Sequence, residues 1–288
     1  MTATTHEQEA LLSLDHLQSS GSRHTVEQEG CTVCWHRFGD GPPLVLLHGG
    51  HGNWMHWVRN IEALAKAHTL WIPDMPGFGE SGDLAGEPHA PERLQRLVKV
   101  LGATLDALIG PQTAFDLAGF SFGGLVAAHV AVQRPRLRRL ALLGTTGHGG
   151  PRGQTVELLD WRLPDRAAMR AALRHNLGAF MLHAHENMDA LAMEVHERAC
   201  VSTRFRSKAF SRAAGLEHLI GALSQPVLLL WGEHDVTAAQ PAQIARQLAD
   251  DRTRCEWHVL PAAGHWVQYE AHAQVNALLL QWFAWRPV

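Results

Sequence analysis

Thr113-Ala114-Phe115-Asp116-Leu117-Ala118-Gly119-Phe120-Ser121-Phe122-Gly123-Gly124-Leu125-Val126-Ala127-Ala128 is the stretch whose reading decides the fold of this 288-residue chain. Thr113 to Ala118 is a short apolar run that reads as a strand, and Leu125 to Ala128 opens a helix. Between them stands Gly119-Phe120-Ser121-Phe122-Gly123, a G-x-S-x-G run. A serine on so sharp a strand-to-helix turn has its Oγ pushed out of the end of the sheet. The two glycines have no Cβ, so strand and helix can approach closely around it. The pentapeptide alone recurs by chance. Its meaning depends on a base, an acid and oxyanion donors elsewhere in the chain.

All three occur, each in a local frame of its own. Pro226-Val227-Leu228-Leu229-Leu230-Trp231-Gly232-Glu233-His234-Asp235 is an apolar strand running into a polar turn with a carboxylate at its tip. Ala262-Ala263-Gly264-His265-Trp266 follows the strand-like Arg254 to Leu260. Pro43-Leu44-Val45-Leu46-Leu47 runs into His48-Gly49-Gly50, whose backbone N–H groups are unobstructed. Asp74-Met75-Pro76-Gly77-Phe78-Gly79-Glu80-Ser81 follows the next strand. Taken together and in this order, Ser before Asp before His, the motifs resemble the α/β-hydrolase fold family from about Thr25 to the C-terminus.

The resemblance implies an α/β architecture: a mainly parallel central sheet flanked by helices, with a helical cap. The residue patterns agree. Strands are expected within Val26 to Phe38, then at Leu44–Leu47, Thr69–Pro73, Phe115–Ala118, Leu137–Leu143, from Val227 and over Arg254–Leu260. Helices are expected at Trp54–Ala67 and Pro91–Ile109. Alternation of this kind builds a parallel sheet covered on both faces. From about residue 150 to 214 the sequence shows helical patterns and no convincing strand, as at Asp165–Leu177 and Asn187–Val201. The expected division is therefore an N-terminal extension over 1–22, a core of 23–149 with 215–288, and a cap of 150–214. The extension reads as a short helix or a loose arm.

The chemistry follows from the residue types. Ser121 is expected as nucleophile, His265 as the base that removes its proton, and Asp235 as the carboxylate that fixes the imidazole tautomer. Such a base acts only when neutral, so activity should rise with pH as the ring loses its proton. Glu233 shares the turn and competes for the acid role, which the family pattern assigns to Asp235. The oxyanion donors implied are the backbone N–H groups of Gly50 and Phe122. His48 is read as bracing that turn. Residues expected near substrate are His51, Asn53, Trp54, Phe120, Trp161, Phe180, Met181 and Trp266, with His56 and Trp57 also within reach of the pocket.

Bulk properties narrow the choice further. A formal charge of -3, with 18% charged and 46% hydrophobic residues, carries no electrostatic footprint for nucleic acid. No apolar run approaches the roughly 20 residues a membrane helix needs, and Met1 to Ser20 lacks a signal-peptide pattern. A cytoplasmic location is the default expectation, with a small molecule as the partner. Cys31 and Cys34 form a C-x-x-C, yet on a strand residues three apart face opposite sides. That pair and the H-x-H of His183 and His185 are read as structural, and no metal or cofactor is expected.

A serine at the elbow favours acyl transfer over the epoxide and carbon–halogen chemistry of relatives that carry aspartate there. The leading expectation is a hydrolase of small or medium carboxylic esters, thioesters or lactones. A second is a carbon–carbon bond hydrolase of aromatic ring-fission products, which the Gly264 to Glu270 run resembles and Asn60 loosely fits. Against it, that group carries Asn-Ser-Met where this chain has Phe120-Ser121-Phe122. It would also need a cap arginine for a substrate carboxylate, with Arg198, Arg204 and Arg206 as candidates. A third is a weakly catalytic ligand receptor on the same fold.

Overall fold

The computed structural model describes residues 5–250 and 253–284. Residues 1–4 of the expected extension and 285–288 of the expected core lie outside them. One eight-stranded sheet carries the molecule, in the spatial order β1-β2-β4-β3-β5-β6-β7-β8. β1 (Ser22–Gln28) and β2 (Cys31–Phe38) form an antiparallel hairpin at one edge, and β2 also runs antiparallel to β4 (Thr69–Asp74). From β4 onward β3 (Pro43–Leu47), β5 (Phe115–Phe120), β6 (Leu137–Leu143), β7 (Val227–Gly232) and β8 (Cys255–Leu260) pair in parallel. The central strands are apolar runs because helices cover both of their faces. Val45, Leu47, Leu117, Leu140 and Leu142 face one core cluster, while Leu44, Leu46, Ala118, Ala141 and Leu143 face the other. The hairpin begins at Ser22, earlier than the expected Val26, since Ser22 to Thr25 pair with Cys34 to Arg37.

The helices follow in chain order. α1 (Thr5–Ser19) buries Leu14 and Leu17 and packs on the helices inserted between β6 and β7; Glu7 pairs with Arg170 there at 3.2 Å. The segment expected as one helix from Trp54 to Ala67 is instead a 3-10 turn, Trp54–Trp57, and α2 (Ile61–Leu64). The break falls at Asn60, whose side-chain amide is held by Gln268 O and Asn276 Oδ1 at 3.0 and 2.8 Å. α3 (Arg93–Ile109) buries Leu94, Leu97, Val98, Leu101 and Leu105, and stops at Gly110 with φ 88°. α4 (Phe122–Val132) is apolar almost all round and nearly wholly buried, as a helix within a core must be.

Between β6 and β7 the described residues contain no strand. α5 (Arg166–Asn176) starts at Asp165, which caps Ala168 N, and continues as a π-helical turn over Leu177–Met181. α6 (Ala190–Val201) starts at Asp189, which caps Ala192 N. α7 (Lys208–Arg212) and α8 (Leu216–Gly221) lead back to the sheet. α9 (Pro241–Ala249), α10 (Val267–Glu270) and α11 (His272–Trp282) complete the chain. Cys31 lies with Val33 and Trp35 on one face of β2, whereas Cys34 contacts His36 and Glu80 on the other.

Candidate active site

Ser121 sits between β5 and α4 with φ 54° and ψ -118°, a conformation that costs a non-glycine residue on the order of 1–3 kcal/mol. Its neighbours explain how the strain is held. A Cβ at Gly119 would strike Gly123 O, one at Gly123 would strike His48 O, and one at Gly124 would meet Thr145 Oγ1 at 2.5 Å. Ser121 N donates to Leu143 O at 2.8 Å, tying the turn to β6. The serine is 8% exposed, and that exposure opens into a cavity.

Three side chains distant in sequence meet here. Ser121 Oγ lies 2.9 Å from His265 Nε2, and His265 Nδ1 lies 2.9 Å from both oxygens of Asp235. Asp235 and His265 are both buried. The carboxylate fixes Nδ1–H as donor, which leaves Nε2 free to accept from the serine hydroxyl. Glu233 is exposed, contacting His234 at 3.7 Å and Ala262 N at 3.4 Å, and does not reach His265. Asp235 has support that sequence reading did not name. Thr237 donates to Asp235 Oδ1 from both N and Oγ1, each at 2.7 Å. The Asp-x-Thr spacing is an Asx-type turn signal and could have revealed it.

Gly50 and Phe122 face one another beside Ser121: a Cβ added to Gly50 would lie 3.7 Å from that of Phe122. Phe122 is the first residue of α4, so its N–H has no intrahelical acceptor. Gly50 N–H has no protein acceptor among the described residues. The turn is braced from behind. His48 Nδ1 meets Gly49 O at 2.8 Å and its Nε2 accepts from Met75 N at 3.0 Å, which sets the tautomer. His56 Nδ1 accepts from Gly49 N at 3.2 Å. Burial holds His48 down to about 4 and His56 well below the usual imidazole range, so both stay neutral.

A cavity of about 760 Å³ opens over Ser121, within the range of small-molecule sites. The core contributes Gly50, His51, Phe120 and His265 to its walls; the inserted segment contributes Trp161, Phe180, Met181, His196 and others. Phe120 and Phe180 both pack on the His265 ring, with centroids 5.0 and 5.3 Å away. Asn53, Trp54 and Trp266 are not wall residues. Asn53 Oδ1 accepts from Met55 N at 3.0 Å, Trp54 stacks on His36 at 4.7 Å, and Trp266 Nε1 donates to His56 O at 3.0 Å. His56 and Trp57 are likewise buried away from the cavity.

The arginines proposed for a carboxylate also lie elsewhere. Arg198 pairs with Glu194 at 2.7 Å, Arg204 with Asp83 at 2.8 Å, and Arg206 is exposed outside the cavity. Arg152, Lys208 and Arg212 do line it, without a carboxylate partner among the described residues. Burial and the neighbouring Arg212 guanidinium lower the Arg152 pKa, against a smaller opposing pull from the Asp235 carboxylate. Sequence reading missed them because basic residues in a helical insertion look like a solvated face.

Cys34, His36 and Asp74 cluster behind the site, their ligand atoms all within 4.8 Å of one another. Burial pushes the Cys34 thiol up to about 12, and the two Asp74 oxygens accept from Trp54 N at 2.9 Å and Glu80 N at 2.8 Å. Arg23, bonded to Glu80 at 2.7 Å, already supplies positive charge beside the thiol. The arrangement fits a hydrogen-bonded packing unit better than a cation site. His183 stacks on His234 with centroids 3.6 Å apart, and no metal-ligating group within the described residues includes His183 or His185.

This geometry can be set beside known proteins. The family model described as "alpha/beta hydrolase fold" matches residues 42–272. A 2-hydroxymuconate semialdehyde hydrolase of Pseudomonas sp. (strain CF600) is 33% identical, over 85% of this chain and 87% of that protein. A pimeloyl-[acyl-carrier protein] methyl ester esterase of Vibrio campbellii is 38% identical, but over only 35% of this chain and 36% of its own. Among solved structures, an esterase from Rhodococcus sp. superposes with a TM-score of 0.74 at 22% identity, covering 91% of this chain and 98% of that one. Sheet order, elbow and family match agree: the chain belongs to the α/β-hydrolase fold family.

Proposed function

We propose that this protein is a serine hydrolase acting through an acyl-enzyme, with residues 150–214 as a cap over the core of 23–149 and 215–288. The observation that carries the reading is the unbroken relay from Ser121 Oγ through His265 to Asp235, every link 2.9 Å. As Ser121 Oγ bonds to a substrate carbonyl carbon, its proton passes to His265 Nε2 and the carbonyl π pair moves onto oxygen. The N–H groups of Gly50 and Phe122 receive that charge. Collapse expels the leaving group, which takes the proton from His265. Water then repeats the sequence on the acyl-enzyme. Asp235 stabilises the imidazolium in both halves without taking its proton.

The machinery requires only a carbonyl and a leaving group, so small or medium esters, thioesters or lactones are the first substrate class. A carbon–carbon bond hydrolase is the second reading. It is favoured by similarity to the semialdehyde hydrolase over 85% of this chain and by the wall cations Arg152, Lys208 and Arg212, none of which has a salt bridge to a carboxylate among the described residues. A carbon leaving group departs only as a stabilised carbanion, and a keto-acid fragment bearing a carboxylate would supply both the stabilisation and a partner for those cations. One experiment tests both readings. A fluorophosphonate should label Ser121, and Ser121→Ala should abolish labelling and lower turnover at least about 10³-fold. Turnover of p-nitrophenyl butyrate against 2-hydroxymuconate semialdehyde then ranks the two substrate classes. An unlabelled Ser121, or an alanine variant of full activity, would overturn the proposal.

A further inference from the structure

Building on the acyl-enzyme reading, we propose that Ser207 completes the oxyanion hole, its hydroxyl donating a third hydrogen bond to the substrate oxygen as negative charge develops there. Ser207 stands at the N-cap position of α7, where a serine hydroxyl ordinarily accepts from a backbone N–H two or three residues ahead. It makes no such bond. Its backbone is helical, φ -75° and ψ -17°, rather than extended as a capping residue requires. The hydroxyl is directed instead onto Gly50, where a Cβ would meet Ser207 Oγ at 2.6 Å and Phe122 Cβ at 3.7 Å. Glycine is required at position 50 because the space of its missing side chain is taken by this hydroxyl.

The residue is 5% exposed, its Oγ has no hydrogen-bond partner within the described residues, and it lines the same cavity as Ser121. A hydroxyl set in a cavity wall without a protein partner keeps its hydrogen bond for whatever occupies the cavity. The segment that delivers it is pinned firmly. Arg204 N and Phe205 N donate to Gly77 O at 2.9 and 3.0 Å, and Phe205 packs on Phe78 and Phe122 at 5.6 and 5.5 Å between centroids. Two donors thus come from the core and the third from the inserted helices. The Ser207 proton stays on its oxygen throughout, because the proton released by Ser121 goes to His265.

The test compares wild type, Ser207→Ala and Ser207→Thr. The fluorophosphonate labelling rate, kcat and KM for p-nitrophenyl butyrate, and inhibition by phenylboronic acid are the readouts. Ser207→Ala should slow labelling and lower kcat about 10²-fold, with KM little changed and labelling still running to completion. Boronate affinity should fall by the same factor as kcat/KM, since both report the tetrahedral state, and Ser207→Thr should recover most of the loss. A merely structural serine would change thermal stability without this split. Ser207→Ala labelled at the wild-type rate, with kcat and boronate affinity intact, overturns the proposal alone. Wild-type protein that the probe never labels removes the acyl-enzyme reading as well.

Discussion

At Ser121 a polar side chain is held in a strained backbone conformation, and each surrounding contact has a part in keeping it there. Gly119, Gly123 and Gly124 admit the close approach, while Leu143 O takes the Ser121 N–H. The imidazole is held as tightly. Asp235 contributes both oxygens to Nδ1 and is steadied in turn by two donors from Thr237. Replacing Asp235 by asparagine keeps the shape but removes the acceptor that selects the Nδ1–H tautomer. Asp235→Asn should therefore lower kcat about 10⁴-fold while the thermal midpoint moves little. Activity and stability measured on one preparation check this. A loss of activity matched by unfolding would show that the carboxylate is a structural group. His265, Asp235 and Ser121 were legible as candidates because each lies in a short frame of strand and turn, although the choice of Asp235 over Glu233 rested on the family pattern. The wall residues had no such frame. Trp54 and Trp266 look like pocket aromatics until the fold shows their rings packed on His36 and Tyr269.

The elements divide in the same way. Buried parallel strands are written as apolar runs ending in glycine or polar turns, so β3 to β8 could be placed with boundaries differing by a residue or two. The π-helical turn Leu177–Met181 had no comparable signal, because the bond that stops it is tertiary: Trp266 N donates to Met181 O at 2.7 Å. Beside that bond, Glu270 joins the inserted segment to the His265 loop. Its carboxylate accepts from Gly264 N at 2.6 Å, His183 N and Ala184 N at 2.9 Å, and Asn187 Nδ2 at 3.2 Å. Each hydrogen bond to a charged group contributes about 1.5–3 kcal/mol. Glu270→Ala should cost about 2–4 kcal/mol once the freed N–H groups gain water. It should also lower kcat about tenfold, because both Phe180 and His265 lose their anchor. Urea unfolding with steady-state kinetics tests this, and an alanine variant with unchanged stability would show that the carboxylate is no latch.

The whole molecule carries an unusual load of buried neutral imidazole among its 20 histidines. Burial lowers His36, His48, His51 and His196 to about 4, and lowers His56 well below its usual value. In the unfolded chain these rings bind protons near pH 6.5. Their contribution to stability is therefore complete above about 6.5 and is lost as pH falls toward 4. Asp74 and Asp116 act in the opposite sense. Burial raises both to about 6 from 3.8, so they favour the folded state at low pH, and that stabilisation fades as pH rises through this window. Five histidines against two aspartates leave a net uptake of roughly three protons on unfolding, or about 4 kcal/mol per pH unit. Urea midpoints should fall steeply from pH 7 to pH 5, well before bulk acid denaturation. His36→Phe preserves an aromatic surface against Trp54 and lies outside the cavity. It should flatten the slope by about one proton, near 1.4 kcal/mol per pH unit. Equal midpoints at the two pH values, or an unaltered slope in His36→Phe, would mean that these rings find protons in the folded state, and that burial does not hold them neutral.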